Sequence, residues 1–202
     1  MSPDDGRQML ASAALALSLS VRVYDAYGIR PDMSAVARET AGAILANAGL
    51  RITWRQCPCD NRVDDAELVV RITAASAESE PAALGFSYVD TERRSGTLAT
   101  VFGDRVESLA RVAGTNESQL LGRVMAHEIA HLLLGNREHA KVGLMRGHWT
   151  AGELEREQPF EWAFSTSEAT RIRSAAARRL RTVPRPPLLA ANTAPGSDRH
   201  DR

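Results

Sequence analysis

The sequence predicts an α+β domain in which a small twisted mixed sheet packs against helices. Three short segments alternate apolar and polar residues, or run apolar, as strands do, at residues 21–25, 50–54 and 68–72. Two longer segments, 32–48 and 116–134, repeat apolar residues at the three- and four-residue spacing of a helix. The 202 residues suffice for one domain with its own core plus tails.

Further elements are predicted between and after these segments. The helix at 32–48 backs the sheet and ends at Gly49, with an expected inner face of Val36, Thr40, Ile44 and Ala48. The apolar run 68–72 predicts a central strand. Two more strands, 83–89 and 97–102, flank a polar turn, and a last helix at 167–181 completes a C-terminal helical subdomain.

The charge pattern excludes several classes of partner. Lysine plus arginine and aspartate plus glutamate each number 25, so the formal net charge is zero, and the two signs are interspersed. The sequence contains no stripe of basic residues, the pattern that would predict nucleic-acid binding. No apolar run approaches the roughly 20 residues of a transmembrane span. We expect a monomer.

The two ends of the chain are predicted to lie outside the domain, which we place at residues 21–182. Residues 1–20 read as an N-terminal extension or a candidate signal segment, because a weakly apolar run contains Ala14 and Ala16 at cleavage-site spacing. The acidic flank at Asp4 and Asp5 opposes the signal interpretation. The compartment stays open, with a lean toward export. Residues 183–202 are rich in proline and small residues and predict a disordered tail.

The chain contains two cysteines, Cys57 and Cys59, separated by one proline. Cysteines this close in sequence are poorly placed to bridge each other, because the short connection strains a disulfide. We expect the pair to be structural or incidental.

The segment HEIAH, from His127 to His131, carries the chemistry that the sequence suggests. Two histidines four residues apart on a helix project from one face, so both imidazoles can reach one metal ion. Zinc suits this site, since it accepts nitrogen ligands at about 2.0–2.1 Å in tetrahedral geometry. Glu128 points about 100° around the helix from His127, where a carboxylate can act as general base on water.

The flanks of this segment support a helix that ends in a turn. Asn116 and Gln119 have the spacing of a capping box, which places the helix N-terminus just before the apolar repeat. Gly135 predicts the C-terminal stop, because glycine readily takes the left-handed conformation found there. His139 follows four residues later, a span of at most about 14 Å, so it can return to the helix as a third ligand.

The segment HEIAHLLLGNREHAKVGLM resembles the metzincin zinc peptidases, and within them the matrixin branch. The resemblance implies a zincin-like fold in which zinc is held by His127, His131 and His139. It further implies that Glu128 is the base, Gly135 the turn after the helix, and Met145 the methionine beneath the metal. The family pattern is HExxHxxGxxH, whereas this chain has one extra residue before the glycine and one more after it. Most of the chain is also similar to uncharacterised bacterial peptidases of the HEIGHLLLG…H…GIM type.

Two alternatives to this three-histidine peptidase remain. One keeps zinc but takes an acidic third ligand, Glu153 or Glu155, in the manner of gluzincins and IrrE-like regulatory peptidases. The other is a catalytically silent, zinc-stabilised binding domain, against which Glu128 argues because a structural site has no use for a base. In the plainest interpretation, the histidines are ordinary helix residues.

The stretch from Gly96 to Phe102 is similar to the matrixin strand at the rim of the substrate cleft. As an exposed edge strand it would pair with an extended peptide or protein substrate, main chain to main chain. The alternative is an ordinary hairpin strand. Together these observations predict a zinc-dependent peptidase.

Overall fold

The structure is a computed structural model that describes residues 17–58, 66–156 and 158–182. Our predictions for residues 1–16 and 183–202 lie outside this description. The helices and strands are, in chain order, β1 (Leu17–Asp25), α1 (Pro31–Asn47), β2 (Leu50–Gln56), β3 (Leu68–Thr73), β4 (Gly85–Asp90), β5 (Ser95–Phe102), α2 (Gly103–Ala113), α3 (Glu117–Leu134), α4 (Ala151–Arg156) and α5 (Thr166–Thr182). A 3₁₀ turn at Pro159–Trp162 precedes α5. None of the helices in these residues is long and apolar enough to cross a membrane.

The strands form one mixed sheet in the order β2–β1–β3–β5–β4, which confirms the predicted α+β architecture and the central position of β3. β1 is parallel to β2 and β3, β3 is parallel to β5, and β4 runs antiparallel to β5. β1 begins at Leu17, so residues 17–20, which we had assigned to the N-terminal extension, belong to the sheet.

The edge strand differs from our prediction. We expected the stretch from Gly96 to Phe102 to be exposed at the edge, but β5 lies between β3 and β4 and pairs with both. The edge next to the histidine helix is β4, and α3 packs against β4 and β5. In the β4–β5 hairpin, β5 pairs in parallel with β3, so β4 is left at the edge of the sheet.

Helix α1 lies within one residue of its predicted bounds, and Ile44 and Ala48 of its predicted inner face are buried. Val36, expected in the core, is 39% exposed, whereas Ser34, Ala37 and Ala41 are buried. These small side chains let α1 approach α3 closely: a Cβ atom built on Gly122 of α3 would lie 2.5 Å from the Ala37 carbonyl oxygen. The sheet and both helices thereby form one core in which α3 is buried on nearly all sides.

Cys57 is disulfide-bonded, so the argument against a bridge is wrong, while the expectation of a structural role is not contradicted. The described residues contain no free cysteine, and Cys59 lies outside them.

A buried ion pair lies on β1 and just before β3. The Arg22 Nε atom donates to the Glu67 Oε2 atom at 2.6 Å, and the two side chains are 3% and 5% exposed. Arg55 of β2 adds a second contact to the Glu67 Oε1 atom at 3.0 Å. The hydrogen bond that Arg22 donates to Glu67 is the main cause of a raised pKa at Arg22. A carboxylate just before β3 therefore links the start of that strand to β1 and β2.

Glu67→Gln is expected to lower the free energy of unfolding by about 3–5 kcal/mol, because it leaves the buried Arg22 guanidinium without its carboxylate. Urea unfolding at neutral pH measures the loss. Arg30→Gln is the matched control: its pair with Asp32 is 73% and 64% exposed, so the change should cost at most about 1 kcal/mol. Equal losses in the two variants would contradict the prediction.

Candidate metal centre

Helix α3 begins and ends where the sequence predicted. The Asn116 side chain accepts a hydrogen bond from the Gln119 backbone amide at 3.0 Å, as an N-cap does. Gly135 adopts φ 64° and ψ 32°, and its amide donates to the His131 carbonyl at 2.9 Å. This left-handed C-cap turns the chain back along the helix, so that His139 returns to the face that carries His127 and His131.

The three histidines meet at one point. The His131 Nε2 atom lies 3.0 Å from the His127 Nε2 atom and 3.2 Å from the His139 Nε2 atom. Ring centroids are 4.7, 4.9 and 5.3 Å apart. Nitrogens bound at about 2.0–2.1 Å to a tetrahedral ion lie roughly 3.4 Å from one another, so this spacing suits a single metal ion. Among the described residues, this is the one cluster of three such side chains close enough to hold a metal.

Both helix histidines are fixed through their other ring nitrogen. The Nδ1 atom of His127 is 2.9 Å from the Leu144 carbonyl oxygen, and that of His131 is 2.9 Å from the Asn136 carbonyl oxygen. A carbonyl only accepts, so each Nδ1 carries the proton and each Nε2 keeps its lone pair for a metal. Carbonyl partners of this kind orient the ligands of a metal site.

The environment favours neutral imidazoles, the form that ligates metals. Burial lowers the pKa of His127 to about 3, and the neighbouring His131 adds to the effect. Burial lowers the pKa of His131 to about 4, with a further contribution from His139. The pKa of His139 is lowered first by burial and then by the proximity of His148. Each of these shifts favours the neutral imidazole at neutral pH.

Glu128 lies beside the histidines in an apolar setting. The residue is 5% exposed, and burial raises the pKa of its carboxyl group to about 7. The Ser87 hydroxyl of β4 donates to its Oε2 atom at 2.7 Å and also lies 2.9 Å from the Glu128 main-chain oxygen. Ser87 was missed in the sequence, since a serine inside a short strand carries no signal of its partner. It ties the edge strand to this carboxylate.

A cavity of about 440 Å³ opens directly in front of these groups. Its inner wall contains His127, Glu128 and His139. The remaining walls come from the loop before β4, from α2 and from the segment after Met145; they include Leu84, Leu109 and Trp149. A small organic group or a side chain of a larger ligand fits a space of this size.

The other residues singled out in the sequence lie apart from the cluster or beneath it. Met145 is 1% exposed, and its carbonyl accepts from the Ala140 amide at 2.8 Å, which closes the loop that carries His139. The Glu153 carboxylate accepts hydrogen bonds from the Arg146 guanidinium at 2.5 Å and from the Thr150 backbone amide at 2.8 Å. Glu155 is exposed on α4. Neither acid belongs to the group of converging side chains.

Gly135→Ala is expected to destabilise the protein by about 2–5 kcal/mol. Alanine costs about 1–2 kcal/mol in the left-handed conformation, and its Cβ atom would overlap the main chain of Arg94, which must then shift. Gly114→Ala, at the C-cap of α2, is the matched control: φ is 61° there, but nothing lies within 4 Å of the added atom. Urea unfolding should show the smaller loss in the control, and equal losses would refute the steric argument.

Comparison with known proteins places the fold. No protein-family model matches the chain, and no curated protein matches it. The structure is similar to that of a zinc-dependent peptidase from Methanocorpusculum labreanum, with TM-score 0.52 and 16% identity, over 75% of this chain and 99% of the other. Archaemetzincin from Methanopyrus kandleri matches with TM-score 0.48 and 15% identity, over 85% of this chain and 99% of the other. Metalloproteinase-II from Bacteroides fragilis matches with TM-score 0.49 and 13% identity, over 82% of this chain and 55% of the other.

The class that these observations define is an α+β domain with the fold of a zinc-dependent peptidase. At 16% identity the likeness concerns the fold alone. What the chain does with that fold has to be argued from its own residues.

Proposed function

We propose that this protein is a zinc-dependent peptidase of metzincin type, with zinc held by His127, His131 and His139. The observation that carries the proposal is the meeting of three imidazole Nε2 atoms beside a buried carboxylate, at the wall of an open cavity. Zinc supplies Lewis acidity toward a peptide carbonyl and lowers the pKa of water toward about 7. Three protein ligands with a fourth position left for water or substrate are typical of catalytic rather than structural zinc.

Glu128 is the general base in this proposal. Its carboxylate lines the cavity and is not one of the converging ligand groups, so it is free to accept a proton from water. Burial raises the pKa of this carboxyl group, which favours the protonated form that would give the proton to the leaving amine. The hydrogen bond from Ser87 holds one carboxylate oxygen, which fixes the direction of the other.

The substrate is an extended peptide or protein segment that pairs with the free edge of β4. This corrects the predicted pairing along Gly96 to Phe102, since β5 has no free edge. β4 passes directly over the carboxylate: a Cβ atom on Gly85 would lie 3.0 Å from the Glu128 Oε1 atom, and Ser87 bonds the same group. A peptide added to this edge would therefore run past Glu128, with one side chain directed into the cavity.

The two rival functions have less support. An acidic third ligand would require Glu153 to leave Arg146 and Thr150, or the exposed Glu155 to reach the cluster from α4. A silent zinc-stabilised binding domain has no use for a buried carboxylate at the wall of a cavity. Burying a carboxylate costs free energy, and carboxyl groups whose pKa is strongly shifted by burial cluster at functional sites.

The test is metal analysis and peptide hydrolysis with the purified full-length chain. We expect close to one zinc per chain and cleavage of a mixed peptide library. A strong chelator should abolish the cleavage and added zinc should restore it. A chain that binds zinc but cleaves no peptide in the library would favour the silent binding domain, and a chain that binds no zinc would refute both.

A further inference from the structure

A small basic cleft lies at the C-terminal end of α3, between α5 and the turn from β4 to β5. It has a volume of about 220 Å³ and contains three arginines, Arg94, Arg171 and Arg178, together with Ser174 and Leu134. In the part of the chain that the structure describes, no acidic residue lines this cleft. We call these five residues the arginine cleft.

Among the described residues, none of these three guanidinium groups forms an ion pair with a carboxylate. The ion pairs among the described residues involve other arginines, such as Arg22, Arg111 and Arg146. In a protein of zero net charge, three cations around one small space create a local excess of positive charge. Arg171, Ser174 and Arg178 recur at helical spacing on α5, so they present their side chains along one stripe.

The backbone at Arg94 supports a role for its side chain. Arg94 has φ 50°, and it is the single non-glycine residue with positive φ in the described ranges. Glycine or asparagine is the usual residue at such a turn position, because other side chains are strained there. A strained arginine that lines one cleft together with two further arginines indicates that the position serves binding rather than the turn.

We propose that the arginine cleft binds a small phosphate-type oxyanion, either free or as the terminal group of a small phosphomonoester. Arginine recognises such groups with two parallel hydrogen bonds, and three arginines can surround one tetrahedral dianion. The Ser174 hydroxyl, on the same wall, can add a donor. The volume is below the 300–1,000 Å³ of pockets for drug-sized ligands, which limits the ligand to the anion and a few attached atoms.

The site also has a consequence for the rest of the fold. The Arg94 main chain packs against Gly135, the C-cap of α3. An anion held by Arg94 and α5 together would therefore link three elements, the β4–β5 turn, α5 and the end of α3. Binding should accordingly stabilise the folded chain, independently of zinc and of any peptidase activity.

The experiment is thermal unfolding of the full chain in phosphate or glycerol 3-phosphate, compared with chloride at the same ionic strength. At about ten times the dissociation constant, the phosphate compounds should raise the Tm by about 3–5 °C. The double variant Arg171→Gln/Arg178→Gln should lose most of this increment. The control double variant Arg173→Gln/Arg181→Gln also removes two positive charges from α5, but outside the cleft. It should keep the full rise in Tm.

A third variant separates binding from stability. Arg94→Gly should keep or raise the Tm in chloride, because glycine accepts a positive φ, and should still lose the phosphate increment. A response to glycerol 3-phosphate alone would assign the site to monoesters, and an equal response to both compounds would assign it to the free anion as well. Equal increments in all variants, equal effects of chloride, or no increment in the wild-type chain would each overturn the proposal.

Discussion

Glu128→Gln is expected to lower kcat/KM for peptide hydrolysis by about 10²–10⁴-fold while zinc stays bound. Glutamine has the same shape and can still accept the Ser87 hydrogen bond, but its amide cannot take a proton from water. Zinc should remain because the three converging nitrogens belong to other residues. Steady-state kinetics together with metal analysis of the same preparation measure the two effects.

The matched control for this change is Glu155→Gln. It removes a carboxylate of the same kind from an exposed position on α4, so hydrolysis should change by no more than about twofold. Undiminished hydrolysis in Glu128→Gln would remove the residue from the mechanism. Loss of zinc in that variant would show instead that Glu128 contributes to the metal site itself.

His139→Ala is expected to weaken zinc binding by more than about 100-fold and to abolish hydrolysis. Loss of a residue that merely orients a ligand costs about 10–100-fold in affinity, so loss of a ligand should cost more. His139 comes from the loop after Gly135, outside the rigid helix, so its removal should leave the fold intact. Competition with a chromophoric chelator measures the affinity, and circular dichroism checks the fold.

Glu153→Gln supplies the comparison for the third ligand. Its carboxylate is engaged by Arg146 and Thr150, so zinc affinity should stay within a few-fold of the wild-type value. Equal zinc in the wild-type and His139→Ala chains, with zinc lost from Glu153→Gln, would reassign the third ligand to the acid.

The metal helix could be predicted from the sequence because its signals are local. Capping at Asn116, the four-residue spacing of the histidines and the stop at Gly135 each depend on neighbouring residues alone. The return of His139 to the cluster follows from the same turn, because His139 is only four residues beyond Gly135 and must stay close to the end of the helix. The roles of these residues in catalysis remain predictions.

Features that depend on distant contacts could not be predicted. Which strand lies at the sheet edge depends on whether β5 or β4 pairs with β3, and the alternation of residues within a strand is the same in either case. On α1 only the inward position of Val36 was wrong. Ala37, which carries little hydrophobic signal, is buried instead and lies against Gly122 of α3. The hydrogen bond from Ser87 to Glu128 joins residues 41 positions apart, a distance over which sequence patterns carry no signal.

The carbonyl groups of Leu144 and Asn136 fasten the rings of His127 and His131 in place. The cluster is thus assembled by the polypeptide itself, and metal uptake requires little reorganisation of the chain. Stripping the ion should leave a folded apoprotein with a native-like circular dichroism spectrum, unlike a zinc finger, which unfolds without its metal. We therefore expect the chain to lose and regain the ion as a reversible exchange between two folded states.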